Sequence, residues 1–365
     1  MATGLSIALI RGDGIGIDVS NATVEIVDKA VAHCGLPALV YDEIQAGAGY
    51  FSETGSDIEA GGEERAGTSS AIFLGAIGLP AIRHADGTEI SPHLRLRDRY
   101  GLYAGVRPVK AYPNAPQRLA DPRAADIDMI ILRESTEGLF YSAAVHKRAE
   151  IGSSDDFVMD KMMITRATTE KLHHFGFKLA QKRKARGKAG RLTCVDKANV
   201  FASQAFFRKI YDEIAPQYSD VETGYNYVDA QALNLIRNPW DYDVMVMENM
   251  FGDILSDLAG GLVGGMGMAA CAEIGDEVGL FQPAHGSAPD IMGQDKANPL
   301  AAILSGALML DYLAEQSGDS RYDDAAQVIE KAVEDGFAAN ALRPIEFGGD
   351  MGTIAVTNEV LSRIS

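Results

Sequence analysis

Two aspartates in the segment GDILSD are spaced to act on one ligand. Asp253 and Asp257 are four residues apart, so in a helix both side chains project from the same face. Two carboxylates held this close repel each other unless a cation lies between them. Taken alone, the pair is equally compatible with a helix cap at Asp253 and a solvated side chain at Asp257.

A third carboxylate follows a strand-like stretch, at Asp229 in YNYVDAQAL. Three carboxylates without a histidine or cysteine suit a hard divalent cation, Mg²⁺ or Mn²⁺, with water or substrate oxygens in the remaining positions. Asp229, Asp253 and Asp257 are therefore the candidate metal ligands.

Three arginines form a second set of candidates. Arg97 and Arg107 lie in LRLRDRYGLYAGVRP, and Arg133 ends the apolar stretch of IILRES. Guanidinium groups bind carboxylates with two parallel hydrogen bonds and stay charged when buried, so together they would hold a di- or tricarboxylate. For any one arginine, an ion pair with a nearby acid such as Glu134 is an equal alternative.

Lys197, in CVDKANVF, lies at a predicted strand-to-helix junction. A lysine partly removed from water beside a carboxylate is suited to proton transfer, and an exposed lysine is the alternative. The glycine turns at 12–16 and 260–267 do not fit GxGxxG with an acidic residue about 20 positions later. We therefore predict no Rossmann domain.

The elements that would position these residues alternate between strands and helices. SIALIRGDGIGIDVSNATVEIVDKAV predicts a strand, a glycine turn and an amphipathic helix. Helical patterns follow in ITRATTEKLHHFGFKLAQKRKA, ANVFASQAFFRKIYDEIA, GDILSDLAGGLVGG and NPLAAILSGALMLDYLAEQ. Further apolar strands are predicted at 71–78, 128–135, 191–198 and 242–249. The fold class is α/β.

Composition narrows the function classes. A chain of 365 residues with 47% hydrophobic and 23% charged residues is typical of a globular enzyme with two lobes. A net charge of -18 argues against nucleic-acid binding, and the basic run 178–191 is interpreted as the solvated end of a helix that Gly187 stops. The three cysteines show neither a disulfide framework nor zinc-ligand spacing. With no apolar membrane span or cleavable signal, a cytoplasmic location is expected.

Taken in order, these segments resemble the β-decarboxylating dehydrogenases, the family of isocitrate, 3-isopropylmalate, homoisocitrate and tartrate dehydrogenases. DKAN, GDILSD and HGSAPD in this order are jointly specific. The resemblance covers GDGIGIDV, FLGAIGLP, LRLRDRYGLYAGVRP, RESTEGLF, DKANV, YVDAQAL, NMFGDILSDLAGGLVGG and FQPAHGSAPDIMGQDKANPLAAILS. It implies the isocitrate/isopropylmalate dehydrogenase-like fold, which is not a Rossmann fold, with two lobes around a central cleft. The large cofactor-binding lobe would be 1–102 with 264–365, and the small lobe with the dimer interface 103–263.

The resemblance also implies a role for each candidate. The three arginines match those that hold the substrate carboxylates, and Asp253 and Asp257 match metal ligands. Lys197 and Asp229 match residues contributed by the neighbouring subunit, which implies a homodimer. Lys197, through water or Asp229, would take the proton of the C2 hydroxyl while a hydride passes to the nicotinamide. The metal would then stabilise the enolate formed as carbon dioxide leaves.

The cofactor implied by the resemblance is NAD. Its adenine would lie against HGSAPDIMG, and FLGAIGLP would approach the nicotinamide. Asp290 would accept hydrogen bonds from the ribose and repel a 2′-phosphate, which favours NAD over NADP. The cofactor-binding candidates are Gly75, Asn199, His285, Gly286, Ser287, Ala288, Asp290 and Asn298.

Two positions depart from the family pattern. The tyrosine that reprotonates C3 is expected seven residues after Arg133, where this chain has Phe140 followed by Tyr141. Either a local shift brings the Tyr141 hydroxyl into place, which we favour, or the acid is missing. The specificity segment ISPHLRLR offers Ser91, His93 and Arg95 in place of an apolar set, which predicts a polar or small substituent.

Several substrates therefore stay open. Isocitrate, homoisocitrate, tartrate and an alkylmalate fit a polar or small substituent, and 3-isopropylmalate stays plausible from the overall similarity. A tartrate- or malate-type dehydrogenase is the alternative within the family. A non-catalytic regulatory subunit is the alternative of another class, but it would lack part of the metal and lysine set. A phosphotransferase is disfavoured because the chain has no GxxxxGK[ST] loop.

Overall fold

The structure is a computed structural model in which residues 4–142 and 156–364 are described. The described chain divides into two compact units. The first unit contains the chain up to Tyr100, residues 112–116 and everything from Gly264 onward. The second unit contains Gly101–Ala111 and the rest of the chain up to Val263.

The elements alternate between strands and helices through most of the chain. The strands of the described residues are β1 (Ser6–Gly12), β2 (Val40–Glu43), β3 (Ala71–Ala76), β4 (Ala104–Lys110), β5 (Asp128–Glu134), β6 (Arg191–Asp196), β7 (Glu222–Tyr227), β8 (Val244–Met247), β9 (Ala270–Ile274) and β10 (Gly279–Pro283). The α-helices are α1 (Gly16–His33), α2 (Ala48–Thr54), α3 (Gly62–Thr68), α4 (Pro92–Arg99), α5 (Arg166–Ala185), α6 (Ala202–Ile214), α7 (Val228–Arg237), α8 (Asn249–Leu262), α9 (Leu300–Ser317), α10 (Arg321–Ala338) and α11 (Thr353–Arg363).

Each unit is built on five neighbouring strands. In the first unit the order is β2-β1-β3-β10-β9, parallel except for the antiparallel β9–β10 pair. In the second unit the order is β4-β5-β8-β6-β7, parallel except for β4–β5. Parallel strands need helical crossovers, which explains why helices separate most strands in the chain.

The predicted βα opening is confirmed by β1 and α1, and the four further predicted strands correspond to β3, β5, β6 and β8. The sequence analysis missed β2, β4, β7, β9 and β10. β4 contains Pro108, which lacks the N–H that a strand ladder uses, and β7 exposes alternate residues. Apolar runs alone do not reveal such strands.

Helices α8 and α9, which are rich in glycine or alanine, pack closely within their units. In α9, most residues between Leu300 and Leu313 are buried, and Gly306 lies against side chains of α1. In the second unit, the apolar faces of α7 and α8 cover Met129, Ile131 and Met245. None of the helices in residues 4–142 and 156–364 is both long and apolar enough to cross a membrane.

The observed units differ from the predicted lobes at residues 101–102 and 112–116. The ring of Tyr112 packs 5.3 Å from that of Phe337, and the Asn114 side chain donates to the Phe337 carbonyl over 2.9 Å. These contacts attach residues 112–116 to the first unit, although the chain on both sides of them belongs to the second.

The basic run at 178–191 is only partly a solvated helix end. α5 ends at Ala185, and Gly187 has the left-handed φ of 82° that stops a helix. Arg183, however, is largely buried and forms ion pairs with Asp243 and Asp128. The interpretation of the run as a solvated surface is therefore wrong for Arg183, which ties α5 to the strands beneath it.

Candidate active site

Helix α8 lies directly against the end of β5, and a glycine makes this approach possible. A Cβ on Gly252 would lie 2.6 Å from the Cβ of Arg133, closer than two such atoms can come. The next residue, Asp253, forms an ion pair with the Arg133 guanidinium. The glycine of GDILSD therefore places the first candidate metal ligand against the candidate substrate arginine.

Arg133 is held in one orientation by an amide. Its Nε donates to Oδ1 of Asn249 over 2.9 Å, and Nδ2 of Asn249 donates to the Glu137 carbonyl over 3.0 Å. Arg133 and Asn249 are only 4% and 1% exposed, so little water competes for these bonds. The sequence analysis missed Asn249. Its position one helical turn before Asp253 was the available signal.

Arg107 lies on the same face of the sheet as Arg133. It is opposite Ile131 in the antiparallel β4–β5 pair, and Ile131 shares a face with Arg133 two residues later. Partial burial, with a smaller contribution from repulsion by Asp253, raises the pKa of Asp257, while Arg107 and Arg133 oppose this rise. The four side chains therefore interact as one group, the arginine–aspartate cluster: Arg107, Arg133, Asp253 and Asp257.

The cluster fits a divalent cation. Asp253 and Asp257 project from one face of α8, and their mutual repulsion would be relieved by a cation between them. Their oxygens are the ligands that Mg²⁺ and Mn²⁺ prefer. Within the described part of one chain, however, no three His, Cys, Asp or Glu side chains are grouped to hold a metal ion. The predicted set of three aspartates does not come together inside one chain.

The third predicted ligand lies with the candidate proton-transfer lysine. β6 and β7 are parallel, with Asp196 beside Tyr227, so Lys197 after β6 and Asp229 in the first turn of α7 emerge at one edge. Their side chains form an ion pair of 2.5 Å, and this hydrogen bond lowers the pKa of Asp229. The Asp229 side chain is 68% exposed, so its outer oxygen can meet another molecule. Asn199 is exposed in the turn that follows Lys197.

The tyrosine shift predicted from the sequence falls in a short 3-10 turn at Leu139–Tyr141. The guanidinium carbon of Arg133 lies 5.1 Å from the centre of the Phe140 ring. Phe140 thus occupies the position beside the arginine, and the half-buried Tyr141 follows it. Glu248 accepts a hydrogen bond from the Leu139 backbone over 3.1 Å and so ties this turn to the start of α8.

The specificity segment forms α4 in the first unit. Arg97 is 9% exposed and forms an ion pair with Glu273 over 2.9 Å. In this structure it therefore has the ion pair with an acidic residue that the sequence analysis gave as the alternative to substrate binding. His93 lies one helical turn earlier. Burial, with a contribution from Arg97, lowers the pKa of His93 to about 4, so its imidazole is neutral at pH 7. The Ser91 hydroxyl is half-buried just before the helix.

Arg95 does not belong to the specificity set. It forms ion pairs with Asp57 over 2.7 Å and with Glu63. Those two carboxylates occupy the guanidinium from the neighbouring α3 region, so it serves the packing of α4. The polar groups of the segment are therefore Ser91 and His93.

Three predicted loops of the first unit are bonded together. The carbonyl of Ser287 accepts a hydrogen bond from the Ile15 backbone over 2.7 Å, and its hydroxyl donates to the Gly78 carbonyl. Asp13 accepts a hydrogen bond from the Gly78 backbone over 2.8 Å. Ala288 has a φ of 34°, a strained value that side-chain-bearing residues rarely adopt. GDGIG, FLGAIGLP and HGSAPD thus meet at one place.

This loop offers groups suited to a nucleotide. Nδ1 of His285 lies 2.9 Å from the Gly286 carbonyl, whereas its buried Nε2 has no hydrogen-bond partner in the described residues. A buried polar atom without a partner is costly, and a ligand hydrogen bond would remove that cost. Asp290 lies five residues after His285, in a short 3-10 turn at Pro289–Ile291, and its side chain is exposed. Gly286 is likewise exposed.

Two other cofactor candidates have structural roles here. Gly75 lies inside β3, and a Cβ there would be 2.4 Å from the Gly16 carbonyl oxygen, so it permits close packing rather than facing a ligand. Asn298 donates to Glu346 over 2.8 Å and accepts from the Leu300 backbone over 3.2 Å. Both ends of its amide therefore have partners within the protein, and it holds the start of α9.

Comparison with known proteins identifies the family. The isocitrate/isopropylmalate dehydrogenase family profile matches residues 6–364. The 3-isopropylmalate/3-methylmalate dehydrogenase of Methanocaldococcus jannaschii is 40% identical over 360 residues, which cover 98% of each chain. The 3-isopropylmalate dehydrogenase of Heyndrickxia coagulans is 36% identical over 371 residues, covering 99% of this chain and 97% of the relative.

Solved structures agree. The isocitrate dehydrogenase from Methylococcus capsulatus matches 99% of both chains with a TM-score of 0.81 at 31% identity. A beta-decarboxylating dehydrogenase from Thermococcus kodakarensis matches 99% of this chain and 96% of its own, with a TM-score of 0.79 at 33% identity. The predicted α/β fold class and the family resemblance are confirmed. The chain therefore belongs to the isocitrate/isopropylmalate dehydrogenase family, and it is an oxidoreductase, a dehydrogenase similar to 3-isopropylmalate dehydrogenase.

Proposed function

We propose that the protein catalyses NAD- and Mg²⁺- or Mn²⁺-dependent oxidative decarboxylation of a 2-hydroxy acid with a 3-carboxylate. The substrate is of the 3-isopropylmalate, homoisocitrate, isocitrate or alkylmalate type. The arginine–aspartate cluster carries this proposal, because it combines two largely buried guanidinium groups with two carboxylates on one face. The two arginines suit the carboxylates of the substrate. The two aspartates suit a cation that also contacts the substrate oxygens.

Arg107 and Arg133 bind the substrate carboxylates in this scheme. Their low exposure, 9% and 4%, strengthens an ion pair with a ligand because little water screens it. Asn249 keeps Arg133 in place before the substrate arrives, so less ordering is required on binding. We assign Arg97 to a further substrate carboxylate, for which it would exchange its partner Glu273.

Asp253 and Asp257 hold the divalent cation, and a second copy of the chain supplies Asp229. When bound, the cation stabilises negative charge on the substrate oxygen at C2. Asp229 with Lys197 cannot complete the set within one chain, but its exposed carboxylate can reach a neighbouring subunit. Exposed apolar side chains lie near both groups in sequence and suit a homodimer interface: Val200, Phe201, Tyr227, Leu233, Ile236 and Ile254.

Lys197 takes the proton of the C2 hydroxyl, directly or through water or Asp229, and NAD, when bound, would supply the hydride acceptor. The ion pair with Asp229 keeps the lysine positioned and offers a second proton acceptor. We assign the return of a proton to C3 to Tyr141, which follows the Phe140 ring beside Arg133. Replacing Tyr141 by phenylalanine should slow turnover. Unchanged carbon dioxide release by that variant would remove Tyr141 from the mechanism.

NAD binds at the loop that contains His285 and Asp290. The unpartnered Nε2 of His285 supplies a hydrogen bond to the adenosine part, and Asp290 accepts from the ribose hydroxyls. A carboxylate at this point repels the additional phosphate of NADP. kcat/KM should therefore be higher with NAD than with NADP. Equal or better use of NADP would contradict this assignment.

The neutral His93 and the Ser91 hydroxyl favour a small or polar substituent on the substrate. The relative from M. jannaschii is a 3-isopropylmalate/3-methylmalate dehydrogenase, and the substituent of 3-methylmalate is small. The same polar pair supports the second candidate, a tartrate- or malate-type dehydrogenase. The two differ in whether carbon dioxide is released.

One assay separates these candidates. The purified protein is incubated with Mn²⁺, NAD and, in turn, 3-isopropylmalate, 3-methylmalate, isocitrate, homoisocitrate, tartrate and malate. Reduced cofactor is followed by absorbance and carbon dioxide is measured in parallel. Equal amounts of both products with one acid support the main proposal, and reduced cofactor alone with tartrate or malate supports the second. No reduction with any acid would favour the non-catalytic subunit and overturn both.

A further inference from the structure

An open cavity on the second unit belongs to none of the groups described so far. Its volume is about 480 Å³, a size that accommodates a small organic ligand. We call it the α5 cavity, because four of its six lining residues lie on that helix. The lining residues are Tyr103, Lys171, His174, Phe175, Lys178 and Tyr218.

The charge of the α5 cavity is positive or neutral throughout. Lys171, His174 and Lys178 are spaced three and four residues apart, so they share one face of α5 and repel one another when charged. None of the six lining residues is acidic, in a protein whose net charge is -18. An anion placed over this face would relieve the repulsion and bind through charge-assisted hydrogen bonds.

Aromatic rings form the rest of the cavity. Nδ1 of His174 lies 2.8 Å from the Tyr218 hydroxyl, so its Nε2 is the ring nitrogen that can face a ligand. The Tyr218 ring stacks on Phe177 with 4.8 Å between centroids and an interplanar angle of 6°. Since Phe177 is completely buried, this stacking fixes the Tyr218 ring to the core. A rigid aromatic surface favours a flat ligand that stacks on it.

We propose that the α5 cavity binds a small organic anion that carries a planar ring. The anion, a phosphate or a carboxylate, meets the basic side chains of α5, and the ring meets the aromatic side chains. A bare inorganic ion supplies only the anionic part of such a ligand, and an uncharged ring supplies only the ring. The site is separate from the arginine–aspartate cluster and from the Lys197–Asp229 pair, so it does not depend on the proposed reaction.

The binding test uses the full-length protein and isothermal titration calorimetry. Phenyl phosphate is the probe that carries both parts, and inorganic phosphate and phenol carry one each. We expect phenyl phosphate to bind at least about tenfold more tightly than either. Uridine monophosphate and benzoate then distinguish a phosphate-bearing from a carboxylate-bearing ligand. Inorganic phosphate binding as tightly as phenyl phosphate would overturn the ring-and-anion assignment.

Charge-reversal variants locate the bound probe. Lys178→Glu places a negative charge in the cavity and should weaken phenyl phosphate binding by about tenfold or more. Lys209→Glu makes the same change on an exposed lysine of α6, outside the cavity lining, and should leave binding within about twofold. Turnover should be unchanged in both variants, which separates this site from the proposed function. No saturable binding of phenyl phosphate, uridine monophosphate or benzoate, or equal binding to Lys178→Glu and wild type, would overturn the proposal.

Discussion

Two charged regions of the molecule use the same residue types in different ways. In the first unit, Arg95 forms ion pairs with Asp57, over 2.7 Å, and with Glu63. Arg99 forms ion pairs with Glu63 over 2.6 Å and with Glu64 over 2.7 Å. The three carboxylates come from α3 and the residues just before it. We call these five residues the α3–α4 network. In it, each guanidinium contacts two carboxylates, and Glu63 is shared by both.

The arginine–aspartate cluster of the second unit is arranged differently. Arg133 divides its hydrogen bonds between the amide of Asn249 and Asp253, and Asp257 experiences the repulsion of Asp253. The two arginines of the cluster are also far less exposed than Arg99, whose side chain is 40% exposed. The comparison teaches that arginines paired with carboxylates near the surface hold helices together, whereas the largely buried arginines of the cluster lie where little water competes with a ligand.

The largest expected effect is the loss of the proposed proton-transfer lysine. Lys197→Met should lower kcat by about 10³-fold or more, because methionine accepts no proton and Asp229 loses the ammonium group that positions it. NAD affinity, measured by calorimetry, should stay within about twofold. Lys209→Met is the control, since that exposed lysine lies 3.9 Å from Glu213 and away from the site. Activity within about tenfold of wild type would remove Lys197 from the mechanism.

Matched aspartate variants compare the two regions directly. Asp257→Asn removes a proposed metal ligand and should raise the Mn²⁺ concentration for half-maximal activity by about 10²- to 10³-fold. Asp57→Asn makes the same change in the α3–α4 network, where the partner of Asp57 is Arg95. This variant should keep the Mn²⁺ concentration for half-maximal activity within about twofold of wild type. An equal Mn²⁺ requirement in both variants would show that the cluster does not bind the metal.

The pH dependence of the free energy of unfolding tests whether Glu134, the buried neighbour of Arg133, has a raised pKa. Glu134 is 3% exposed, and burial raises its pKa from 4.5 to about 7 despite hydrogen bonds from Thr136 and Glu137. The folded carboxyl holds its proton more tightly than the unfolded one. Its stabilising contribution is therefore complete below pH 4.5 and is lost as the pH rises to about 7.

In wild type, Glu134 should lower the free energy of unfolding by about 2–3 kcal/mol as the pH rises from 4.5 to 8. Glu134→Gln should lack this part of the decrease, as measured by denaturant titration at each pH. Glu64→Gln, in the α3–α4 network, is the control: its hydrogen bond from Arg99 lowers the pKa of Glu64, so this variant should keep the wild-type dependence above pH 4.5. Identical pH profiles for wild type and Glu134→Gln would contradict a raised pKa.

A smaller effect is expected from Asn249→Ala. Without the amide, Arg133 loses the acceptor of its Nε, so KM for the hydroxy acid should rise by about tenfold while kcat changes less than about threefold. Asn234→Ala is the control, because that amide donates to the Tyr242 hydroxyl outside the cluster. A fall in kcat at constant KM would indicate that Asn249 acts in the chemical step instead.

The smallest effect is expected in the α3–α4 network. Arg95→Met should lower the free energy of unfolding by about 1 kcal/mol, since its partly exposed ion pairs are screened by water. KM should stay within about twofold. A tenfold change in KM with unaltered stability would return Arg95 to the specificity set and weaken the contrast between the two regions.

The sequence predicted those parts of the fold whose residues are apolar in an uninterrupted run. Met129–Leu132 and Val244–Met247 are fully or almost fully buried, and both were predicted as strands. β7 was missed because it alternates between exposed and half-buried side chains, and β4 because it contains Pro108. Such strands become evident only from the neighbours with which they pair.

The site was predictable where spacing carries the information. Asp253 and Asp257 were found because they lie one helical turn apart. Arg95 was misassigned because its carboxylate partners lie 32 and 38 positions earlier in the chain, beyond any local pattern. The role of Asn249 depends on the approach of α8 to β5, which no single segment specifies.

The glycine at position 252 has a consequence for how this enzyme can diversify. Because any side chain there would collide with Arg133, the distance between Arg133 and Asp253, the proposed substrate-binding and metal-binding groups, is set by the backbone and leaves little room for change. Ser91 and His93 lie on a different element, in the other unit. Under the proposed function, exchange of those two side chains should alter which substituent is accepted while the cluster keeps its spacing. A laboratory search for new substrates should therefore randomise positions 91 and 93 and keep position 252 fixed.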